Sequence, residues 1–171
     1  REYSTYKNFV PSPYLRKTFI AYELPKKCTI TIGCAGFYDI FVNGHKVTKG
    51  ILAPYISNPD HLVYYDEYDV LLDVGENVFG VLLGNGFQNN PGGHIWDFDK
   101  ASFRSAPMFS LYVTQGENVL LCSDENFKVK PSPIKSDDYR FGEVYNANYE
   151  LDGWCQKDFD DSSWESALPA I

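Results

Sequence analysis

The sequence predicts an all-β protein, built as an antiparallel β-sandwich or jelly roll. Three observations lead there. Aromatic residues make up 16% of the chain, with 13 Tyr and 12 Phe against a single Met, and rings and β-branched side chains suit a pleated surface. Ten Pro and 13 Gly supply the turns that many short strands require. Strand-like runs recur roughly every 8–12 residues with turn signals between them, which is sandwich spacing. No window long enough for a helix shows helical periodicity.

The first strand is expected at 15–23. In the next, at 28–34, Cys28, Ile30, Ile32 and Cys34 alternate with Thr29, Thr31 and Gly33. A third, at 37–42, ends in Asn43-Gly44, the preferred pair for a type I′ hairpin because both turn residues need positive φ. The return strand covers 45–47, and Gly50 closes it. Pro and Asn mark 53–60 as a long loop. Two strands are expected near 62–65 and 68–72, followed by the turn Gly75-Glu76-Asn77. The run 78–83 is apolar on both faces, which predicts a central strand covered on each side. From 84 to 104 the chain is too polar and Gly-rich for a regular element. Strands at 107–114 and 119–122 flank the turn Gln115-Gly116-Glu117-Asn118, and a short strand at 127–130 precedes Pro131.

Net charge is −8 and unevenly spread. Residues 1–27 hold six Lys/Arg against two acids, whereas 137–165 hold nine acids against two bases. An acidic chain without a basic stripe is a poor match for a phosphate backbone, so nucleic acid is not an expected partner. No apolar run approaches the ~20 residues that span a bilayer, so no membrane partner is expected either. The chain begins at Arg1 rather than Met, which reads as a piece of a longer polypeptide.

Cys28, Cys34, Cys122 and Cys155 show no paired spacing. Cys28 and Cys34 share a strand face, too far apart to bond each other. Reduced core cysteines and a Cys34–Cys122 disulfide both remain open readings. The unspaced set leans towards a reducing, cytoplasmic compartment over a secreted one.

Inverting glycoside hydrolysis needs two carboxyl groups roughly 6.5–9.5 Å apart. Asp137-Asp138, Glu143 and Asp160-Asp161 are the obvious candidates, and they are read here as a solvated acidic face and turn caps. The chain carries no Ser/His/Asp signature, phosphate loop or His-x-x-x-His pair. Gly84-Asn85-Gly86 is a lone Gly-x-Gly with no helix after it. His45, His61 and His94 are scattered, which does not suit zinc.

Residues 84–99 are the most informative stretch. Asn85, Asn89, Asn90, His94, Trp96, Asp97 and Asp99, with Gln88, gather amides, carboxylates and an indole in one loop. Amides and carboxylates bond vicinal hydroxyls, and an aromatic face stacks on sugar C–H bonds. These seven are the candidate carbohydrate-binding residues. The competing reading makes Trp96 and Phe98 buried anchors, with Asp97 and Asp99 capping a short turn. Sugar contact and contact with a neighbouring domain both suit the loop. Trp154, Phe159 and Trp164 read as hydrophobic staples that dock a linker.

Several strings resemble the amino-terminal domain of bacterial α-L-rhamnosidases, over about residues 15–164. They are Gly36-Phe37-Tyr38 with Val42-Asn43-Gly44, Leu52-Ala53-Pro54, Tyr64-Tyr65 with Tyr68-Asp69-Val70, and Gly75-Glu76-Asn77. Leu82-Leu83-Gly84-Asn85-Gly86-Phe87, Ile95-Trp96-Asp97-Phe98, Gly142-Glu143-Val144-Tyr145, Gly153-Trp154 and Phe159-Asp160-Asp161-Ser162-Ser163-Trp164 continue the series. Each piece is weak alone; their order and spacing are specific.

The resemblance implies a galactose-binding-like sandwich at 1–143, with 144–171 a linker or the start of a following β-domain. It implies a non-catalytic accessory domain that supports a separate (α/α)₆ barrel of the same parent chain. That barrel releases terminal L-rhamnose with inversion and carries the catalytic carboxylates, so no catalytic residue is assigned here. The alternative is a carbohydrate-binding module for L-rhamnose-containing glycans. Some related domains bind rhamnose through calcium, for which Asp97, Asp99, Asn89 and Asn90 offer oxygens. No spacing here forms a known calcium loop, however. Asp158-x-Asp160-x-Ser162 lacks the Gly and Glu of an EF-hand, and no cofactor is assigned.

Overall fold

The computed structural model describes residues 3–23, 27–93 and 96–170. Twelve strands appear in chain order: β1 Pro13–Ala21, β2 Cys28–Ala35, β3 Phe37–Val42, β4 His45–Lys46, β5 Tyr65–Val70 and β6 Gly75–Gly84. They continue with β7 Met108–Gln115, β8 Asn118–Cys122, β9 Lys128–Pro131, β10 Ile134–Asp138, β11 Gly142–Tyr145 and β12 Glu165–Ser166. Only two short 3₁₀ turns, at Phe98–Lys100 and Ala147–Tyr149, interrupt this all-β pattern among the described residues.

A six-stranded sheet, ordered β12-β9-β1-β6-β3-β4, faces a four-stranded sheet, ordered β5-β2-β7-β8. The named pairings are all antiparallel. A third, two-stranded unit joins β10 to β11. Strand alternation sets the core: Ile30 and Ile32 of β2 and Leu111 and Val113 of β7 meet Ile40 of β3 and Phe79 and Val81 of β6. Each of these is essentially removed from solvent, and such burial is the main driving force for folding.

Polar bridges also cross this layer, among them one from Tyr38. The Tyr38 hydroxyl on β3 reaches Asp66 (2.5 Å) and the Tyr68 hydroxyl (2.9 Å) on β5. Burial, reinforced by the bond to Asp66, pushes the Tyr38 phenol well above its usual pKa.

β6 is the central strand its sequence suggests, paired with β1 on one side and β3 on the other. Its outer face is covered by an irregular segment. Trp154, Cys155 and Trp164 pack with Tyr14 of β1 into a second hydrophobic cluster, joined at its margin by Phe41 and Leu82. Trp154 stacks on Tyr14 at 4.2 Å between ring centroids. Gly80 makes this approach feasible, since a Cβ there would lie 2.7 Å from that of Cys155 and 2.9 Å from the Trp154 ring.

The Asn43-Gly44 turn has the two positive φ angles expected of it, 50° and 83°. The strands expected at 62–65 and 68–72 are instead one strand, β5. Its ladder runs unbroken from Cys28↔Val70 to Gly33↔Tyr65, so Asp66 and Glu67 are ladder residues rather than a turn. The β10–β11 hairpin carries no apolar alternation to announce it.

The thiols of Cys34 and Cys122 are separate: Cys34 is buried in the inter-sheet core and Cys122 is exposed on β8. Cys122 is therefore not a core residue. Its neighbour Leu121 takes the inward position, and adjacent residues of a strand point to opposite faces.

Candidate functional site

Three segments meet at one end of the sandwich: the amino-terminal stretch 3–12, the loop 84–107 and the β10–β11 hairpin. Asp137 of β10 ties them together. Its carboxylate accepts from the Asn85 backbone N–H (2.5 Å), the Asn85 amide (2.6 Å) and the Ser12 hydroxyl (3.1 Å). Asn85 also donates to the Val10 carbonyl at 2.9 Å and accepts from the Asn89 amide at 2.9 Å. Asn89 Oδ1 in turn accepts from the Ser4 N–H at 3.0 Å. Asn90 donates to Asp138 at 2.9 Å, and its oxygen accepts from Gly92 N–H at 2.8 Å.

Asn85, Asn89 and Asn90 are thus buried, and their amides face the protein. Buried amides need such partners, and these bonds pin an otherwise irregular loop. Gln88 is used the same way, donating to the Phe103 carbonyl and the Ser105 hydroxyl.

The remaining candidates lie outside this network. Trp96 is 44% exposed. The Arg140 guanidinium from the hairpin turn sits 4.0 Å from the centroid of its ring, a cation–π contact that covers one face of the indole. Phe87 and Phe98 approach Trp96 edge-on at 6.2 and 5.4 Å, and Tyr139 packs on Phe87 at 4.5 Å. Asp97 is exposed and pairs with Lys100 at 3.3 Å. It precedes the Phe98–Lys100 turn, but its side chain makes no cap bond. Asp99 is exposed within that turn and packs against Gly92. His94 lies outside the described residues.

Beside Trp96 opens a cleft of about 500 Å³. Phe37, Tyr55, Ile56, Phe87, Phe98 and Phe103 line it, with Ser57, Asn58 and Gln88 as polar neighbours. No charged side chain lines it among the described residues. Concave, ring-lined sites with few polar groups are what small ligands occupy. The structure therefore divides the sequence-derived set in two: the Asn residues hold the loop, while Trp96 borders open space.

Calcium would need six to eight oxygens around one point. The Asn89 and Asn90 oxygens already accept backbone N–H groups. No cluster of three or more His, Cys, Asp or Glu suited to a metal occurs among the described residues. Of the four residues named for calcium, Asn89 and Asn90 are thus buried with their amides engaged, and Asp97 and Asp99 are exposed.

Asp137 and Arg140 are the organising residues that reading the loop alone passes over. The pair Asp137-Asp138 was visible in the sequence as two adjacent acids, but nothing local signals that their partners lie about fifty residues earlier.

The sequence profile described as the α-L-rhamnosidase N-terminal domain matches residues 23–170. An α-L-rhamnosidase of Formosa agariphila is 36% identical over 140 residues, which cover 75% of this chain and 14% of that protein. Among solved structures, the α-L-rhamnosidase of Dictyoglumus thermophilum superposes with a TM-score of 0.82 at 29% identity. The match covers 94% of this chain and 18% of that one. The Streptomyces avermitilis α-L-rhamnosidase, crystallised with L-rhamnose, gives 0.81 at 25% identity, covering 94% of this chain and 16% of that one. The chain thus spans less than a fifth of the length of each of these relatives. With its sequence and its sandwich both matching, the chain belongs to the α-L-rhamnosidase N-terminal domain family.

Proposed function

We propose that this chain is a non-catalytic amino-terminal accessory domain of an α-L-rhamnosidase-like glycoside hydrolase, supporting the (α/α)₆ barrel that releases terminal L-rhamnose. The observation that carries this reading is the employment of four of the five candidate carboxylates, Glu143 being exposed on β11. Asp137 and Asp138 accept bonds that fasten the loop and the hairpin turn. Asp161 pairs with the buried Arg16. Bonds from Ser162 hold the exposed Asp160 carboxyl below its usual pKa, the opposite of what a proton donor at neutral pH requires. Residues 144–171 act in this reading as a docked linker, with Trp154 and Trp164 buried on the sandwich.

The test is a chromogenic rhamnoside assay on the 171-residue chain, alongside a longer polypeptide that includes the barrel. Turnover is expected only from the longer protein, and a barrel produced without this domain should melt at a lower temperature. Turnover by the short chain would overturn the proposal.

The cleft beside Trp96 favours a second reading, a carbohydrate-binding module for L-rhamnose-containing glycans. Calorimetric titration with L-rhamnose, with calcium and then with chelator, separates the two. Saturable heat that disappears in Trp96→Ala supports binding; silence supports the accessory role alone.

A further inference from the structure

We propose that residues 146–164 form a lid over the outer face of the six-stranded sheet, able to open as a unit while the sandwich stays folded, and that Arg16 holds it shut. Both ends of the segment are anchored. Asn146 N–H donates to the Pro133 carbonyl at 3.0 Å, and at the far end β12 pairs with β9 and Ala167 N–H donates to the Phe127 carbonyl at 2.8 Å. Between these anchors the backbone bonds are local, such as Trp154 to Leu151, Gln156 to Gly153 and Trp164 to Asp161. No backbone–backbone bond ties 147–164 to a strand among the described residues. Opening therefore breaks no ladder.

The lid is held instead by side chains around one cation. Arg16 of β1 is 2% exposed. Its guanidinium donates to the Gln156 carbonyl (3.1 Å), the Phe159 carbonyl (3.4 Å) and the Asp161 carboxylate, and it lies 5.4 Å from the Phe159 ring centroid. Three points of an irregular segment thus converge on one side chain. Its Nε is buried without a partner, a cost borne by the closed state that water would relieve on opening. Further attachments are the aromatic grip of Tyr14 and Phe41 on Trp154, the exposed Lys157–Asp73 pair, Lys135 over the Tyr149 ring and the Tyr145 hydroxyl on Glu150.

The inter-sheet core does not include these groups. Phe79, Val81, Ile30, Ile40 and Leu111 belong to a separate cluster. Local opening units are drawn from such weakly laddered, separately packed regions. An open lid uncovers Tyr14, Phe41, Leu82 and the Arg16 guanidinium as one surface. The lid lies within the segment read above as a docked linker, but its opening does not rest on what the parent protein hydrolyses.

The chain carries its own reporters. Cys155 is buried on the inward side of the lid, Cys34 and Cys28 are buried between the sheets, and Cys122 is exposed. In a Cys122→Ser background, excess thiol reagent is applied under native conditions and each site is followed by peptide mass. Labelling then tracks the population of the open form, so Cys155 should react at least about tenfold faster than Cys34. Asp161→Asn should speed Cys155 by about tenfold while Cys34 stays within about twofold. Arg16→Lys, which keeps the charge but loses the fork, should do the same. A common rate for Cys155 and Cys34, moving together in the variants, would overturn the proposal, because opening would then be global. So would a Cys155 rate that neither variant changes, or loss of the sandwich fold on Asp161→Asn.

Discussion

On its inner face the six-stranded sheet presents Leu15, Ile40, Phe79 and Val81, while its outer face offers Tyr14, Arg16, Gly80 and Leu82. The inner set is aliphatic with one Phe, spaced by strand alternation and met by an opposing sheet. The outer set is aromatic and charged, includes a residue with no side chain, and is met by chain that belongs to no ladder. The inner face and the covered part of the outer face are both withdrawn from water, yet they achieve it differently. Regular layers need only the right periodicity, whereas the irregular cover needs particular partners at particular points.

The comparison can be broken most severely from the inside. Phe79→Ala removes a fully buried ring from the inter-sheet layer and should cost about 3–5 kcal/mol, read as a lowered urea midpoint. A loss below about 1 kcal/mol would mean that the inner layer is loosely packed.

Gly80→Ala sharpens the contrast from the outside. The added methyl meets Cys155 and Trp154, so overpacking of about 2–3 kcal/mol is expected, with indole fluorescence changing before the far-ultraviolet β signal. Coincident transitions would show that the cover and the layers melt together.

Asn85→Ala probes the end of the sandwich, leaving the Val10 carbonyl and one Asp137 oxygen without its amide. About 1–2 kcal/mol should be lost in urea unfolding.

The smallest effect is expected at Lys17–Asp124, a partly exposed pair at 2.8 Å. The bond from Lys17 holds the Asp124 carboxyl below its ordinary pKa. Its contribution is therefore complete above the unfolded carboxylate pKa and lost as pH falls through the depressed one. Wild type and Asp124→Asn should differ by less than about 1 kcal/mol at neutral pH and converge in acid. A gap that persists at the lowest pH would place the effect elsewhere.

The same division explains what could be read from the sequence. The alternation of Ile30 and Ile32, the doubly apolar run of β6 and the Asn43-Gly44 turn are local signals, and each corresponds to an observed element. β5 reads as two strands because Tyr64-Tyr65 and Tyr68 flank Asp66 and Glu67, and acids in the middle of an edge strand resemble a turn. β10 and β11 carry mixed polar residues on both faces, so periodicity had nothing to detect. At the loop, residue types suggested hydroxyl recognition by Asn85, Asn89 and Asn90. Their partners are Val10, Ser4, Asp137 and Asp138, dozens of positions away, and only the fold brings them together. Trp96 was legible as a ring in a polar loop; the Arg140 guanidinium on its face was not.

Gly80 has a consequence for how the family can drift. Its missing side chain and the Trp154 indole fill one volume between them, so neither position is free to vary alone. Homologues that place a methyl or more at the first should carry a smaller group at the second, and the two columns of an alignment should change in concert.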